Sequence, residues 1–301
     1  MLTRRQFIEK TFQGAVAGAT IGASEAWAAG RLAWTKPIGL EIYTVRAEFA
    51  KNPAETLKRV GATGYREVEI VATLPPATIK RYLSEANLTA PSTYLEVPND
   101  IDAWKKTLDH AHPYGYRYIV VGDNPKLDAD AWKKRAELFN ECGPLAQQAG
   151  MQFCYHAHFK EFAPLHEPGM PETGGSGTTG YDIMLEHCDP KSLKMEMDVF
   201  WVTYAGQDPL HYFEKYPGRF PLLHIKDFKT GFATSTTDFP YDTGPNPFAA
   251  AGQGRIDWTK IFAHARQAGV EHIFVEQDRC DGSPFDAIKT SYEYLKNLRL
   301  S

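Results

Sequence analysis

Short apolar runs rich in aromatic and β-branched residues recur along the chain, each followed by a longer stretch whose apolar positions return every three or four residues. The first pattern has the period of a strand, the second that of a helix with one face on a core. Strands are expected at 38–43 (IGLEIY), 66–71, 88–97, 116–121 (YRYIVV), 151–158, 193–199 (LKMEMDV), 220–225 and 270–276 (VEHIFVE). A helix is expected to open at 53–60, and others to run over 75–86, 101–114, 128–149, 209–216, 256–268 and 285–298. Gly64, Gly115, Gly150 and Gly269 stand where a helix must stop before the next strand. Eight strand-then-helix units force a parallel sheet, and units of this size close into a single (β/α)8 TIM barrel. An open doubly wound sheet is the other candidate, but it would want a glycine-rich phosphate loop after the first strand, and none is present.

Two connections are longer than the rest. Residues 159–180 carry Pro, Gly and Ser/Thr, and 228–254 are rich in Thr, Pro and Gly with aromatic Phe232, Phe239, Tyr241 and Phe248. Both follow strands, so in a barrel both lie on the C-terminal face, as lids or as contacts of a homo-oligomer.

Composition narrows the picture. The 301-residue chain is 43% hydrophobic and 23% charged, enough for one large core with no break that would mark a second domain. A formal net charge of −4 without a basic run gives no nucleic-acid footprint. The start reads differently. TRRQFIEK at 3–10, the weakly apolar run 14–22 and the Ala26-Trp27-Ala28 site are expected to form a twin-arginine signal peptide over 1–28, leaving the barrel at 29–301. The alternative is an amphipathic N-terminal helix. The run is too short and glycine-rich for stable membrane insertion, so a periplasmic or otherwise exported protein is expected. Cys142, Cys154, Cys188 and Cys280 lack ligand spacing and default to buried free thiols.

Candidate chemistry gathers at the ends of the late strands. In MQFCYHAHFKEF (151–162), alternation puts Cys154, His156 and His158 on one face, and Phe153 and Tyr155 on the other. The following strands end in Asp198, His224 and Glu276. Taken singly, Asp198 is a turn cap, His224 a satisfied core histidine and Glu276 a partner for Lys226. Together, imidazoles and carboxylates at corresponding strand ends suit one divalent ion, Mn, Zn, Co, Fe or Mg. Such an ion acidifies a C–H beside a bound carbonyl, with Glu276, His158 or Glu69 as base. Lys226 either serves an oxyanion or leaving oxygen, or pairs with Asp227 or Glu276. Glu41 and Glu69 are expected to bond substrate hydroxyls or form salt bridges. Tyr43, Trp201, Tyr204 and Phe228 offer flat faces to a substrate, or pack as core.

The motifs GLEIYTVR (39–46), GYREVEI (64–70), CYHAHFKEF (154–162), EMDVFWVTYAGQDP (196–209), LLHIKDF (222–228), GQGRIDW (252–258) and FVEQD (274–278) resemble the sugar phosphate isomerase/epimerase family with a xylose isomerase-like barrel. The resemblance implies a metal held by His156, Asp198, His224 and Glu276, with His158, Glu69, Glu161 and Lys226 facing the substrate. His156 stands where many relatives have Glu, Ala157 replaces the usual Asn, Lys160 replaces an acidic or aromatic residue, and Gln253 replaces a Glu. The leading expectation is an isomerase or epimerase acting on an unphosphorylated sugar or keto-sugar, since export argues against a phosphorylated one. The alternatives are a lyase or dehydratase acting on an oxidised sugar such as an inosose or a 3-keto-glycoside, and a non-catalytic carbohydrate-binding barrel. An endonuclease-like phosphodiesterase is disfavoured by the acidic charge.

Overall fold

The computed structural model describes residues 30–71, 73–165, 177–239 and 244–300. The expected signal segment 1–28, Tyr241 and residues 166–176 of the first long connection lie outside the described residues. Strands β1 (Gly39–Glu41), β2 (Glu67–Glu69), β3 (Thr89–Leu95), β4 (Tyr118–Val121), β5 (Gln152–His156), β6 (Lys194–Asp198), β7 (Leu222–Ile225) and β10 (His272–Val275) pair in parallel and close into one barrel. Closure is made where β1 meets β10 with Gly39 opposite Phe274. A Cβ at Gly39 would lie 2.5 Å from that ring, so the seam needs glycine.

Alternation sorts the barrel strands into two sets. Outward residues such as Phe153, Tyr155, Met195 and Ile225 pack against the helices. Inward, Tyr118, Val120, Cys154, Leu222 and Phe274 fill the interior as an apolar layer. One step further along the same face stand His156, Glu196, His224 and, just past β10, Glu276. An apolar floor thus carries a layer of charge at the C-terminal end.

The strands are shorter than the sequence pattern suggests. β1 stops at Glu41 because its carboxylate accepts from Tyr43 N at 3.0 Å and turns the chain into a 3-10 turn, Ile42–Val45. β5 stops at His156 and β10 at Val275, so His158 and Glu276 lie on the loops that follow. The first long connection holds a 3-10 turn, Lys160–Phe162, and leads into a helix, Gly180–His187, started by a capping box between Thr179 and Asp182. The second folds back as a two-stranded antiparallel ribbon, β8 (Asp227–Phe228) with β9 (Phe248–Ala249).

That ribbon explains one motif structurally. Asp227 does not pair with Lys226, as one sequence reading had it, because neighbouring residues point to opposite sides. Its carboxylate accepts from the backbone N–H of Gly252, Gly254 and Ile256 and from Trp258 Nε1, at 2.9–3.2 Å. The GQGRIDW segment is therefore wrapped around a buried anion.

Candidate active site

Asp198 organises the C-terminal end of the barrel. Its Oδ1 caps the helix Val199–Tyr204, accepting from Phe200 N and Trp201 N at 2.9 and 3.1 Å. Its Oδ2 is left for the interior, 2.9 Å from Lys226 Nζ, 3.9 Å from His224 Nδ1 and 4.0 Å from His156 Nε2. Lys226 is buried and also reaches Glu276 and, at 3.1 Å, Asp278. Burial works against its charge, but Asp198, Asp278 and Glu276 outweigh that and hold its pKa well above the usual lysine range.

His224 lies between two carboxylates, with Nδ1 2.9 Å from Glu276 Oε2 and Nε2 2.7 Å from Glu69 Oε2. Glu196 stands 3.3 Å from the same Nε2 and 2.9 Å from His156 Nδ1. Ser92 donates to Glu69 from β3, and the Tyr94 ring meets His156 edge-on at 5.7 Å. Glu41 sits beside Glu69; burial first, then the Glu69 charge, raises its pKa. Glu196 is pushed up to about 8 by the same two causes.

The expected metal residues His156, Asp198, His224 and Glu276 divide between two groups of possible ligands that meet at His224. The ligand atoms of Asp198, His224 and Glu276 lie within 4.8 Å of one another, as do those of His156, Glu196 and His224. The donor set fits a divalent ion on a further ground. Lys226 pairs with Asp198, Glu276 and Asp278, and His224 with Glu69, Glu196 and Glu276, yet the buried Glu41 Oε2 and Glu196 Oε1 have no hydrogen-bond partner. Unpaired buried carboxylate costs several kcal/mol by order of magnitude, and a cation relieves it for the whole set at once.

The remaining expected residues divide. His158 belongs to the cluster, its ring 4.9 Å from that of His156 and 5.4 Å from that of Trp201. Its Nδ1 lies 3.1 Å from the carbonyl oxygen of Asp123. A carbonyl only accepts, so Nδ1 carries the proton and Nε2 keeps its lone pair. Burial, with Lys226 adding to it, lowers the His158 pKa to about 4, so the ring is neutral at pH 7. Trp201 is buried as wall, with Lys226 Nζ 5.2 Å over its ring. Tyr204 and Phe228 pack in the aromatic cover with Phe200 and Phe239. Tyr43 is 49% exposed and stacks with the Arg46 guanidinium at 4.1 Å, on the rim rather than inside. A rim cavity of about 560 Å³, lined by Arg46, Asn246 and Arg279 among others, touches the cluster at Asp278.

Glu161 is fully buried and accepts from Tyr155 Oη at 3.0 Å, off to one side of the cluster. Burial pushes its pKa up to about 8, against hydrogen bonds from Tyr155 and from the backbone of Glu161 and His158. A carboxyl raised in the folded state costs no stability below its unfolded pKa and costs progressively more up to its folded one. The Glu161→Gln variant is therefore expected to melt near the wild type at pH 5 and above it at pH 8.5. Scanning calorimetry at the two pH values checks this; a constant difference between them overturns it.

Glu196, Asp278, Ser92 and Tyr94 were not foreseen as site residues. Glu196 carried a signal, for it is two residues before Asp198 on the same strand face, the argument applied to His156 and His158.

A profile of the xylose isomerase-like TIM barrel matches residues 32–298. An inosose dehydratase of Lacticaseibacillus casei is 23% identical over 273 residues, covering 80% of this chain and 88% of its own. A sugar phosphate isomerase/epimerase structure from Parabacteroides distasonis superposes with a TM-score of 0.72 at 26% identity, over 95% of this chain and 97% of its own. An IOLI protein solved with a bound zinc atom shares the fold, with a TM-score of 0.60 at 16% identity over 86% of this chain and 96% of its own.

Proposed function

Because the chain belongs to the xylose isomerase-like TIM barrel family, we propose that it is a metal-dependent lyase dehydrating a keto-sugar or keto-cyclitol. The kinship with inosose dehydratases favours this over the isomerase or epimerase reading that leads from sequence alone.

The observation that carries the proposal is that His158, its Nδ1 bound to the Asp123 carbonyl and its Nε2 left over, and Lys226 both lie against the Trp201 ring. Epimerisation by proton transfer wants proton-handling groups on both faces of the reacting carbon. Glu276 is a poor second base because its carboxylate is already engaged by His224 Nδ1 and Lys226 Nζ. Elimination needs what is present. A divalent ion held by His156, Asp198, His224 and Glu276 would supply Lewis acidity at the substrate carbonyl. His158 Nε2 takes the proton from the carbon next to that carbonyl, and the C–H pair becomes the new C=C bond. The C–O bond on the adjacent carbon breaks, and the oxygen leaves as water with a proton from Lys226 Nζ. The proton on His158 then restores Lys226 through solvent, so no oxidant or reductant is consumed. We take the substrate to be unphosphorylated and the protein to be exported, on the 1–28 segment.

Incubation with an inosose and with 3-keto-glycosides in deuterated water tests the reading. The expected result is loss of water with appearance of enone absorbance, abolished by chelation and restored by Mn, Co or Zn. Deuterium entering recovered substrate without loss of water would return the reaction to the epimerase class.

A further inference from the structure

The loop after β4 holds an ion pair that reaches the cluster only through a backbone carbonyl. Arg135, on the helix Ala129–Gln148, meets Asp123 with both arms of its guanidinium, at 2.7 and 3.0 Å. Tyr155 Oη of β5 lies 3.3 Å from Asp123 Oδ1 and 3.0 Å from Glu161 Oε1, so its one hydrogen is shared between the two carboxyl groups. The Arg135 side chain is 16% exposed and that of Asp123 38%, so it is the two-armed geometry rather than burial that sets this fork apart from a simple surface pair. Gly122 brings the loop close enough: a Cβ there would lie 2.4 Å from His156 O and 2.3 Å from Tyr94 Oη. Held by the Arg135 fork, Asp123 turns its carbonyl oxygen onto His158 Nδ1 at 3.1 Å.

We infer that Arg135 and Asp123 are positioning residues for the proton-abstracting imidazole: they fix His158 as the Nδ1–H tautomer, with its Nε2 lone pair turned to the cluster. The inference rests on the role given to His158 in the proposed reaction. The fork itself touches no reacting atom. Its effect passes through one peptide group, as the partner of a ligating or catalytic histidine fixes that ring elsewhere. Without the fork, the Asp123 peptide is free to rotate, and a neutral imidazole with no fixed acceptor samples both tautomers. The Nε2–H form has no lone pair where the substrate proton must go.

The test is nitrogen NMR of 15N-histidine-labelled protein, with the His158 signals assigned by their loss in His158→Asn. The wild type is expected to show one tautomer, protonated at Nδ1. Arg135→Met keeps the stem but loses the fork, and is expected to move His158 to a mixture of tautomers. On an active substrate, kcat is expected to fall about ten- to hundred-fold with KM little changed. Arg135→Lys keeps the charge without the two-armed geometry and should restore only part of both readouts. Asp123→Asn, of equal size, serves should Arg135→Met fail to fold, with the same expectation. An Nδ1–H signal unchanged in these variants, with only the melting temperature lowered, overturns the inference. A tautomer that shifts as expected in a protein inactive on every keto-sugar upholds the positioning and overturns the proposed reaction instead.

Discussion

Replacing Lys226 with methionine is expected to destabilise metal-stripped protein by about 3–5 kcal/mol at pH 8, the cost typical of removing one partner from a buried ion pair. Lys226 Nζ is the ammonium shared by Asp198, Glu276 and Asp278, and its own side chain is 1% exposed. Without it these carboxyl groups face one another in a dry site. Asp278 already shows the tendency: burial raises its pKa to about 7 even with Lys226 beside it. In the variant the carboxyl pKa values rise further. A raised acid costs nothing once protonated, so the deficit should shrink as pH falls from 8 to 5. Chemical denaturation at pH 8 and pH 5 with chelator present measures it. A deficit that stays constant or grows toward acid would refute this account of the charge balance. Saturating divalent metal should recover part of the loss, since a cation compensates the same oxygens.

His158→Asn is expected to lower kcat about 10²- to 10⁴-fold, the usual range for a general base, while the fold and substrate affinity persist. Asparagine is the informative replacement because its amide nitrogen sits near the position of Nδ1 and still donates to the Asp123 carbonyl. What disappears is Nε2. Deuterium exchange at the carbon next to the carbonyl should fall with turnover, since both begin with the same proton transfer. Steady-state kinetics and exchange in deuterated water check this. Unchanged exchange in this variant would move the base to another group, with Glu69 next in line.

Residues inside regular strands were the legible part of this molecule. Alternation along 151–158 places Cys154 and His156 on the inner face, as the structure has them, because a side chain on a strand has two directions to choose from, while Asp198 is marked only by ending its strand. The same rule applied to Glu196 would have placed it opposite His156, with which it is in register. Past the strand ends the rule lapses. Asp278 reaches Lys226 from a loop, and nothing in FVEQD distinguishes its last residue from a solvated acid. Asp123 and Arg135 are 12 residues apart across a loop and a helix, and their meeting depends on Gly122 crossing close to His156. Lys226 and Asp227 look like a local pair in sequence, yet the peptide between them sends one to the site and the other to the GQGRIDW wrap.

The divided carboxylate of Asp198 has a mechanical consequence. One oxygen anchors the first turn of Val199–Tyr204, whose Trp201 and Tyr204 form the aromatic roof with Phe239; the other answers to whatever charge occupies the chamber below. Loading or emptying that chamber therefore tugs on the same hinge pin that seats the roof, so fluorescence from Trp201 should track occupancy without any probe being added.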